Sequence, residues 1–322
     1  MIIYVEDPNF YSKYAIDMGI EAFATLLGQE CRMYNLSQTF EPSLDNNVVI
    51  LQGFQFRGES RAIGMLGNNI DNIRTYFPNS YIIVMGSYSA HCPEYVEYDH
   101  PSKADLHLDT CYNVSEDFKK RGYNADMFLW SGTKCVFDQA KNFFATFGKL
   151  PSVREALCLC RCPNSYPGGY FYDRSVLFKG IMDAGISLGY NLEQFSLEGS
   201  IRAFAESDVA IGTTTPSSDP QRNGKGFRDF LGPFVGCPLI ADDYNGYLDL
   251  YEGIVPMYKY GDIADCVDKI RLVQGFYPEA KSELLARQVE FAEHNTVEQQ
   301  LLRVYKKYIT KTDPDIAILQ RP

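Results

Sequence analysis

The sequence predicts an α/β protein built as two doubly wound domains in tandem. Three observations predict it. The chain has 322 residues, about twice the usual domain length. Short apolar runs of strand length alternate with stretches of helical pattern, as in a parallel sheet covered on both faces. The alternation then restarts after Gly148-Lys-Leu-Pro-Ser152, which has the composition of a hinge.

Taken in order, Ile2–Val5 reads as a buried strand running into Glu6-Asp7-Pro8, and a helix pattern covers Tyr11–Leu27. Cys31–Asn35, Asn47–Leu51 and Tyr81–Met85 read as strands, with a helix near Asn69–Phe77 between the last two. Leu106-His-Leu108 gives a short fifth strand, Ser115–Arg121 a helix, and Asp126–Trp130 a further strand. Phe137–Phe147 is helical and closes the first domain, placed at 1–148. The second domain, 149–308, opens on the strand Ala156–Cys160 and the Pro/Gly loop Pro163–Gly169. Helices at Arg174–Gly185 and Ile201–Glu206 and the strand Asp208–Gly212 come next. A short apolar helix, a Val235-Gly236-Cys237-Pro238 turn and the strand Leu239-Ile-Ala241 follow. Helices over Ile263–Leu272, Glu279–His294 and Val297–Tyr308 end the domain, and the tail 309–322 is expected to return to the first.

Composition removes several function classes. The net charge is -11, whereas a non-specific nucleic-acid binder is normally basic, although a local basic face remains compatible with an acidic body. The chain contains no apolar run near the roughly 20 residues of a membrane span. An odd count of nine cysteines, with Met1-Ile-Ile-Tyr-Val5 opening directly as a strand, predicts reduced thiols and a cytoplasmic protein. In Cys158-x-Cys160-x-Cys162 strand alternation puts the sulfurs on one face as small buried residues, and the spacing differs from a zinc turn. The first strand leads into neither GxGxxG nor GxxxxGK[ST], and no serine sits in a nucleophile elbow.

Two doubly wound halves leave a cleft, and ligands in such sheets bind beyond the carboxyl ends of the strands. The loops expected there are Glu6-Asp7, Gln52–Arg61, Gly86–His91, Arg161–Gly169, Thr213–Gly226 and Asp242–Gly246. Among them Gly224-Lys-Gly-Phe-Arg-Asp-Phe is the most informative. A cationic loop with Lys225, Gly226 and Arg228 runs into a helix start, where backbone N–H groups and a guanidinium can hold a diphosphate.

The order strand, Pro/Gly loop, helix, strand, cationic loop, Arg228-Asp-Phe230, Gly236 turn, Leu239-Ile-Ala-Asp242 resembles the nucleotide-sugar half of GT-B glycosyltransferases over about 152–308. The first domain resembles that family only in its alternating architecture. In size and layout the chain is similar to bacteriophage DNA glycosyltransferases, which modify 5-hydroxymethylcytosine. The resemblance implies a GT-B fold of two Rossmann-like domains facing a cleft. It also implies a UDP-sugar donor, glucose or arabinose as the sugar, and a hydroxymethylated base in duplex DNA as the acceptor. It implies donor contacts from Arg228, Lys225, Gly226, Arg161 and Arg174, and from Asp242 near the sugar, with no metal and no cofactor besides the donor substrate. The family glutamate after Arg-x-Phe, a ribose ligand, is Leu231 here, leaving Asp219 or Asp229 to hold the ribose or a different binding mode.

An inverting reaction needs a base for the acceptor proton. The resemblance points to the loop after the fourth strand, where this chain has Ser87; His91 lies four residues on, and Asp7 and Glu6 compete from the end of the first strand. A retaining reaction needs no such base. Arg57 and Arg61, with Ser87, are the acceptor-side candidates. Two other readings stand beside this one: an enzyme glycosylating a bacterial surface polysaccharide or lipid-linked sugar, and a non-catalytic nucleotide-binding protein. The expected assembly is a monomer or a small homo-oligomer.

Overall fold

The computed structural model describes residues 1–6, 13–35, 39–52, 70–86, 103–110, 112–129, 131–159, 172–190, 196–213, 227–243 and 248–321. These fall into two units, one comprising the described residues up to 129 with 297–319, the other those of 131–296 with 320–321.

The first unit is built on six parallel strands: β1 (Ile2–Glu6), β2 (Cys31–Asn35), β3 (Val48–Gln52), β4 (Tyr81–Gly86), β5 (Leu106–Asp109) and β6 (Ala125–Met127), in the order β2-β1-β3-β4-β5-β6. Ile2, Ile3, Tyr4 and Val5 are all buried, as are Val49, Ile50 and Leu51. Such unbroken apolar runs belong to strands covered on both faces. The helical stretch α2 (70–76) and α3 (Tyr112–Lys120) cover one face, where Ile70, Ile73, Val114 and Phe118 join Ile3, Val49 and Val84 in one core. Helix α1 (Lys13–Leu26) packs against α10 (Val297–Val304), and the Phe23 ring meets Tyr305 edge-on at 6.1 Å.

A buried glutamine and an aspartate fix the C-terminal helix to this unit. Gln300 accepts from the Leu129 N–H at 2.7 Å and donates to the Leu129 carbonyl at 2.9 Å, so both backbone groups of one residue are satisfied by one side chain. Asp126 on β6 accepts from Lys307 Nζ at 2.8 Å and from the Tyr308 hydroxyl at 2.9 Å. Burial, and then the Asp126 carboxylate, push the Tyr308 phenol above its ordinary range.

The second unit holds β7 (Arg154–Leu157), β8 (Leu188–Gly189), β9 (Ser207–Gly212), β10 (Leu239–Asp242) and β11 (Met257–Tyr258), all parallel in the order β11-β10-β9-β7-β8. Helices α5 (Tyr172–Asp183) and α8 (Ile263–Gln274), the latter after the single turn α7 (Leu248–Tyr251), share a core with the sheet through Phe178, Ile181, Val209, Ile211, Ile240, Val267 and Ile270. Helices α4 (Lys134–Phe147), α6 (Leu197–Ala205) and α9 (Pro278–His294) instead pack around a 3-10 helix, Phe227–Val235. Gln288 of α9, also buried, bonds both backbone groups of Leu239 at 2.9 and 2.8 Å and the Ile254 carbonyl at 3.2 Å. Lys149 Nζ closes the end of α6 by donating to the Phe204 carbonyl at 3.2 Å and to that of Ser207.

Four features differ from the sequence expectation. Helix α4, expected in the first domain, groups with the second unit, because its apolar face (Val136, Phe137, Ala140) covers the 3-10 helix and Phe137 stacks on Phe234 at 4.4 Å. The chain returns to the first unit at Val297, before the tail expected to do so, and Gln320 groups again with the second. Strand β7 begins at Arg154, ahead of the apolar run; Glu155 fits at the strand's start by accepting from the Ser187 N–H at 2.8 Å, and Arg154 lies 3.8 Å from Glu206. Strand β6 ends at Met127 although Phe128 and Leu129 continue the apolar run: the Phe128 N–H still donates to the Asp109 carbonyl of β5 at 2.8 Å, but the backbone groups of Leu129 go to the Gln300 side chain instead of a neighbouring strand.

Candidate functional site

In the second unit the chain moves from β7 out to β8, then back across β7 to β9, β10 and β11. The reversal lies between β7 and β9, and a crevice opens beyond the carboxyl ends of strands at such a point. The residues directly past those two ends meet there: Cys158 Sγ and Thr213 Oγ1 are 3.8 Å apart.

Two helices start on either side of this point. Helix α5 follows β7 and the 3-10 helix follows β9. Each leads back to the amino edge of the sheet, so each begins at the carboxyl edge. Free N–H groups and the positive end of the helix dipole are therefore presented at the crevice. Both carry an arginine near their first residue. Arg174 is the third residue of α5, with only 8% of its surface exposed. Arg228 is the second residue of the 3-10 helix, described by its backbone.

The rest of the 3-10 helix is an anchor. Phe230, Leu231, Phe234 and Val235 are buried, with Phe230 against Phe291 at 5.7 Å between ring centres. Pro233 lies inside the helix and has no N–H, which suits a short, tightly wound segment better than a regular α-helix. Gly236, at φ 78°, turns the chain into β10. Leu231, at the position where the GT-B resemblance has an acidic ribose ligand, is 1% exposed and part of the core.

The two adjacent aspartates at the end of β10 do different things. Asp242 is 1% exposed, opposite Tyr258 in the ladder. Asp243 stays with the backbone: its N–H donates to the Tyr258 carbonyl and its Oδ1 accepts from the Tyr260 N–H, each at 2.7 Å. Asp243 thus holds the turn. Among the described residues, no group of three or more His, Cys, Asp or Glu side chains is arranged to hold a metal ion, and no helix is long and apolar enough to cross a membrane.

The sheet of the first unit reverses between β1 and β3, whose carboxyl ends are Glu6 and Gln52. The loops following these two strands carry Asp7 and Arg57 with Arg61. Asp7, Arg57, Arg61, Ser87, His91, Arg161, Lys225 and Gly226 lie outside the described residues, and so does Asp219. Glu6 is described by its backbone alone. Sequence reasoning passed over Asp109 and Thr110, buried at the end of β5, where Asp109 stands beside Gly86 in the ladder. The signal was present: an apolar strand ending in aspartate, the same pattern as Leu239–Asp242.

Two buried thiols of the second unit, those of Cys237 and Cys266, are held protonated. Burial pushes Cys237 up to about 12; burial, then the charges of Asp242 and Asp265, push Cys266 up to about 12. Cys135 is exposed. Since the thiolate is the nucleophile, brief iodoacetamide treatment of the native protein is expected to label Cys135 and leave Cys237 and Cys266 unmodified in a peptide mass map. Labelling of the latter two at the rate of Cys135 would contradict their burial.

No protein-family model matches the chain, and a comparison with curated proteins finds no match. Solved structures do match. Sucrose-phosphate synthase from Thermosynechococcus elongatus superposes with a TM-score of 0.58 at 10% identity, over 96% of this chain and 99% of that one. Trehalose-6-phosphate synthase OtsA gives 0.55 at 11% identity, over 93% of this chain and 78% of that one. HepE from Anabaena, in complex with UDP-glucose, gives 0.55 at 9% identity, over 95% and 99%. At such low identity the likeness concerns architecture. Together with the two parallel, doubly wound sheets it gives this chain the GT-B fold, two Rossmann-like domains in tandem.

Proposed function

We propose that this chain is a glycosyltransferase that takes its sugar from a UDP-sugar. One observation carries the reading: two helices begin on either side of the β7/β9 reversal, each with an arginine, Arg174 or Arg228, in its first turn. A diphosphate seated there would interact with two sets of N–H groups and two guanidiniums. In the reaction the same groups would stabilise charge developing on the departing UDP. Lys225 and Gly226, in the loop before the 3-10 helix, and Arg161, in the loop after β7, belong to the same proposed donor site. Asp242 would take a sugar hydroxyl. The bound UDP-glucose of HepE, a protein of the same architecture, agrees with this donor class.

Topology bears on the base. Strand β1, which ends at Glu6 and is followed in the sequence by Asp7, borders the reversal of the first sheet, while Ser87 and His91 come after β4 in the sequence, one strand beyond β3. Position therefore favours the carboxylates over His91 for accepting the acceptor proton. For the acceptor we retain a 5-hydroxymethylcytosine hydroxyl in phage DNA, with Arg57 and Arg61 meeting phosphates and the base extruded from the duplex. The net charge of -11 favours a second reading, a saccharide acceptor of a surface polysaccharide or a lipid-linked sugar.

A thermal-shift comparison of UDP, UDP-glucose and UDP-arabinose with GDP- and dTDP-sugars tests the donor. At about 100 times Kd a ligand stabilises by about 2.7 kcal/mol, roughly 5–10 °C for domains of this size. Stabilisation by the uridine set is the expected result. Indifference to every nucleotide would end the proposal. Transfer of labelled sugar to hydroxymethylated duplex DNA, or to saccharides alone, then decides the acceptor.

A further inference from the structure

The end of β9 is held from both sides within the second unit. Tyr258 of β11, 1% exposed, reaches across β10, and its hydroxyl donates to the Gly212 carbonyl at 3.4 Å. In the ladder Gly212 stands opposite Ala241 of β10. From the other side Cys158, the residue after β7, approaches Thr213, with Sγ and Oγ1 at 3.8 Å. Cys158 is itself fixed: it is buried, and its N–H donates to the Gly189 carbonyl of β8 at 3.0 Å. Thr213 is thus placed by β11 on one side and by β7 on the other, at the reversal where α5 and the 3-10 helix begin.

A threonine hydroxyl has one hydrogen and two lone pairs. Among the described residues, that of Thr213 bonds only the Cys158 sulfur. Sulfur is a weak acceptor and a thiol a weak donor, so the pair is best used with the thiol donating and the oxygen accepting. The hydroxyl then keeps its own hydrogen for a further acceptor. Thr213 is half-buried rather than sealed in the core. The potential around it is set by two helix starts, with Arg174 in one and Arg228 in the other. Such a place selects an anion, and a hydrogen bond to an ionised oxygen is roughly twice as strong as one between neutral groups. Branching at Cβ restricts the threonine χ1, so the hydroxyl has little freedom to lose.

We infer that Thr213 is a further residue of the diphosphate site, whose hydroxyl accepts from the Cys158 thiol and donates to a phosphate oxygen of the nucleotide sugar. Cys158 is its positioning residue, and Tyr258, through the Gly212 carbonyl, holds the strand end still. The inference rests on the UDP-sugar reading above and adds a neutral side-chain contact beside its two guanidiniums.

Titration calorimetry with UDP compares the parent with Thr213→Val, Thr213→Ser and Arg228→Ala. Thr213→Val keeps the shape and loses the hydroxyl. Its affinity is expected to fall about tenfold, with the unfolding midpoint of the unliganded protein unchanged. Thr213→Ser should recover most of that loss. Cys158→Ala removes the S–H and should weaken UDP binding several-fold, whereas Cys158→Ser, which still donates, should recover it. This second pair covers the case in which Thr213→Val does not fold. Thr213→Ser as weak as the valine variant would overturn the inference. Equal losses in the two Cys158 variants would do the same, by making the sulfur ordinary packing. Binding that falls on Arg228→Ala but not on Thr213→Val would end the inference and spare the UDP-sugar reading; a parent indifferent to UDP would end both.

Discussion

Arg228→Ala is expected to weaken UDP binding by about a hundredfold while leaving the unfolding midpoint of the unliganded protein in place. Hydrogen bonds to charged groups contribute about 1.5–3 kcal/mol each, and a bidentate contact with a diphosphate has two. A net loss of about 3 kcal/mol is about two decades in Kd. Stability should not follow, because Phe230, Leu231, Phe234 and Val235 are buried and anchor this helix. Arg228→Lys separates charge from shape: an ammonium keeps the attraction but not the planar fork, so it should recover part of the loss. Titration calorimetry with UDP reads all three proteins. An alanine variant that binds like the parent would remove this arginine from the site.

Gly232→Ala is expected to cost about 3 kcal/mol of stability and to impair nucleotide binding as a consequence. A Cβ built on Gly232 would lie 2.7 Å from the Cys237 carbonyl oxygen, 3.1 Å from Ala210 Cβ and 3.3 Å from Phe204 Cδ1. The nearest of these is backbone, fixed because the Cys237 N–H donates to the Gly232 carbonyl at 3.0 Å. Relief must come from moving the 3-10 helix off β9, and overpacking of this kind costs about 1–3 kcal/mol before any lost hydrogen bond is added. Gly236→Ala makes a useful comparison. Its φ of 78° strains any side chain, but its nearest neighbour is the movable edge of the Phe144 ring at 3.2 Å. Urea unfolding should therefore rank Gly232→Ala as the more damaging. The reverse order would mean that the helix yields more easily than the turn.

Much of the architecture was legible in the sequence because parallel strands buried on both faces are written as unbroken apolar runs. Ile2–Val5, Val48–Leu51 and Leu239–Ala241 could hardly be anything else. Local pattern is silent about which sheet a helix covers. Phe137–Phe147 reads as a helix from its own residues, but only Phe234, almost a hundred positions away, assigns it to the second unit. The same limit hid β8, whose two residues Leu188 and Gly189 have no pattern of their own. At the site, the cationic run before the 3-10 helix stood out because glycine and arginine types are diagnostic at a helix start. That Asp243 holds the turn was not readable: it is decided by the Tyr260 amide, which reaches Asp243 from another strand's end. Nor could Leu231 be seen as core rather than as a substituted ligand until Phe230 and Phe234 were placed around the same helix.

The assignment of Val297–Leu319 to the first unit has a consequence for how the protein comes into being. A ribosome releases the first sheet early, but its partner helix for α1, and Gln300 for Leu129, emerge only after residues 131–296 have been made. At about 5–20 residues per second that interval is roughly ten to thirty seconds. The half translated first is thus completed only after nearly all of the other has been made. During that interval its uncovered apolar face must be shielded by nascent-chain chaperones or by the growing polypeptide itself.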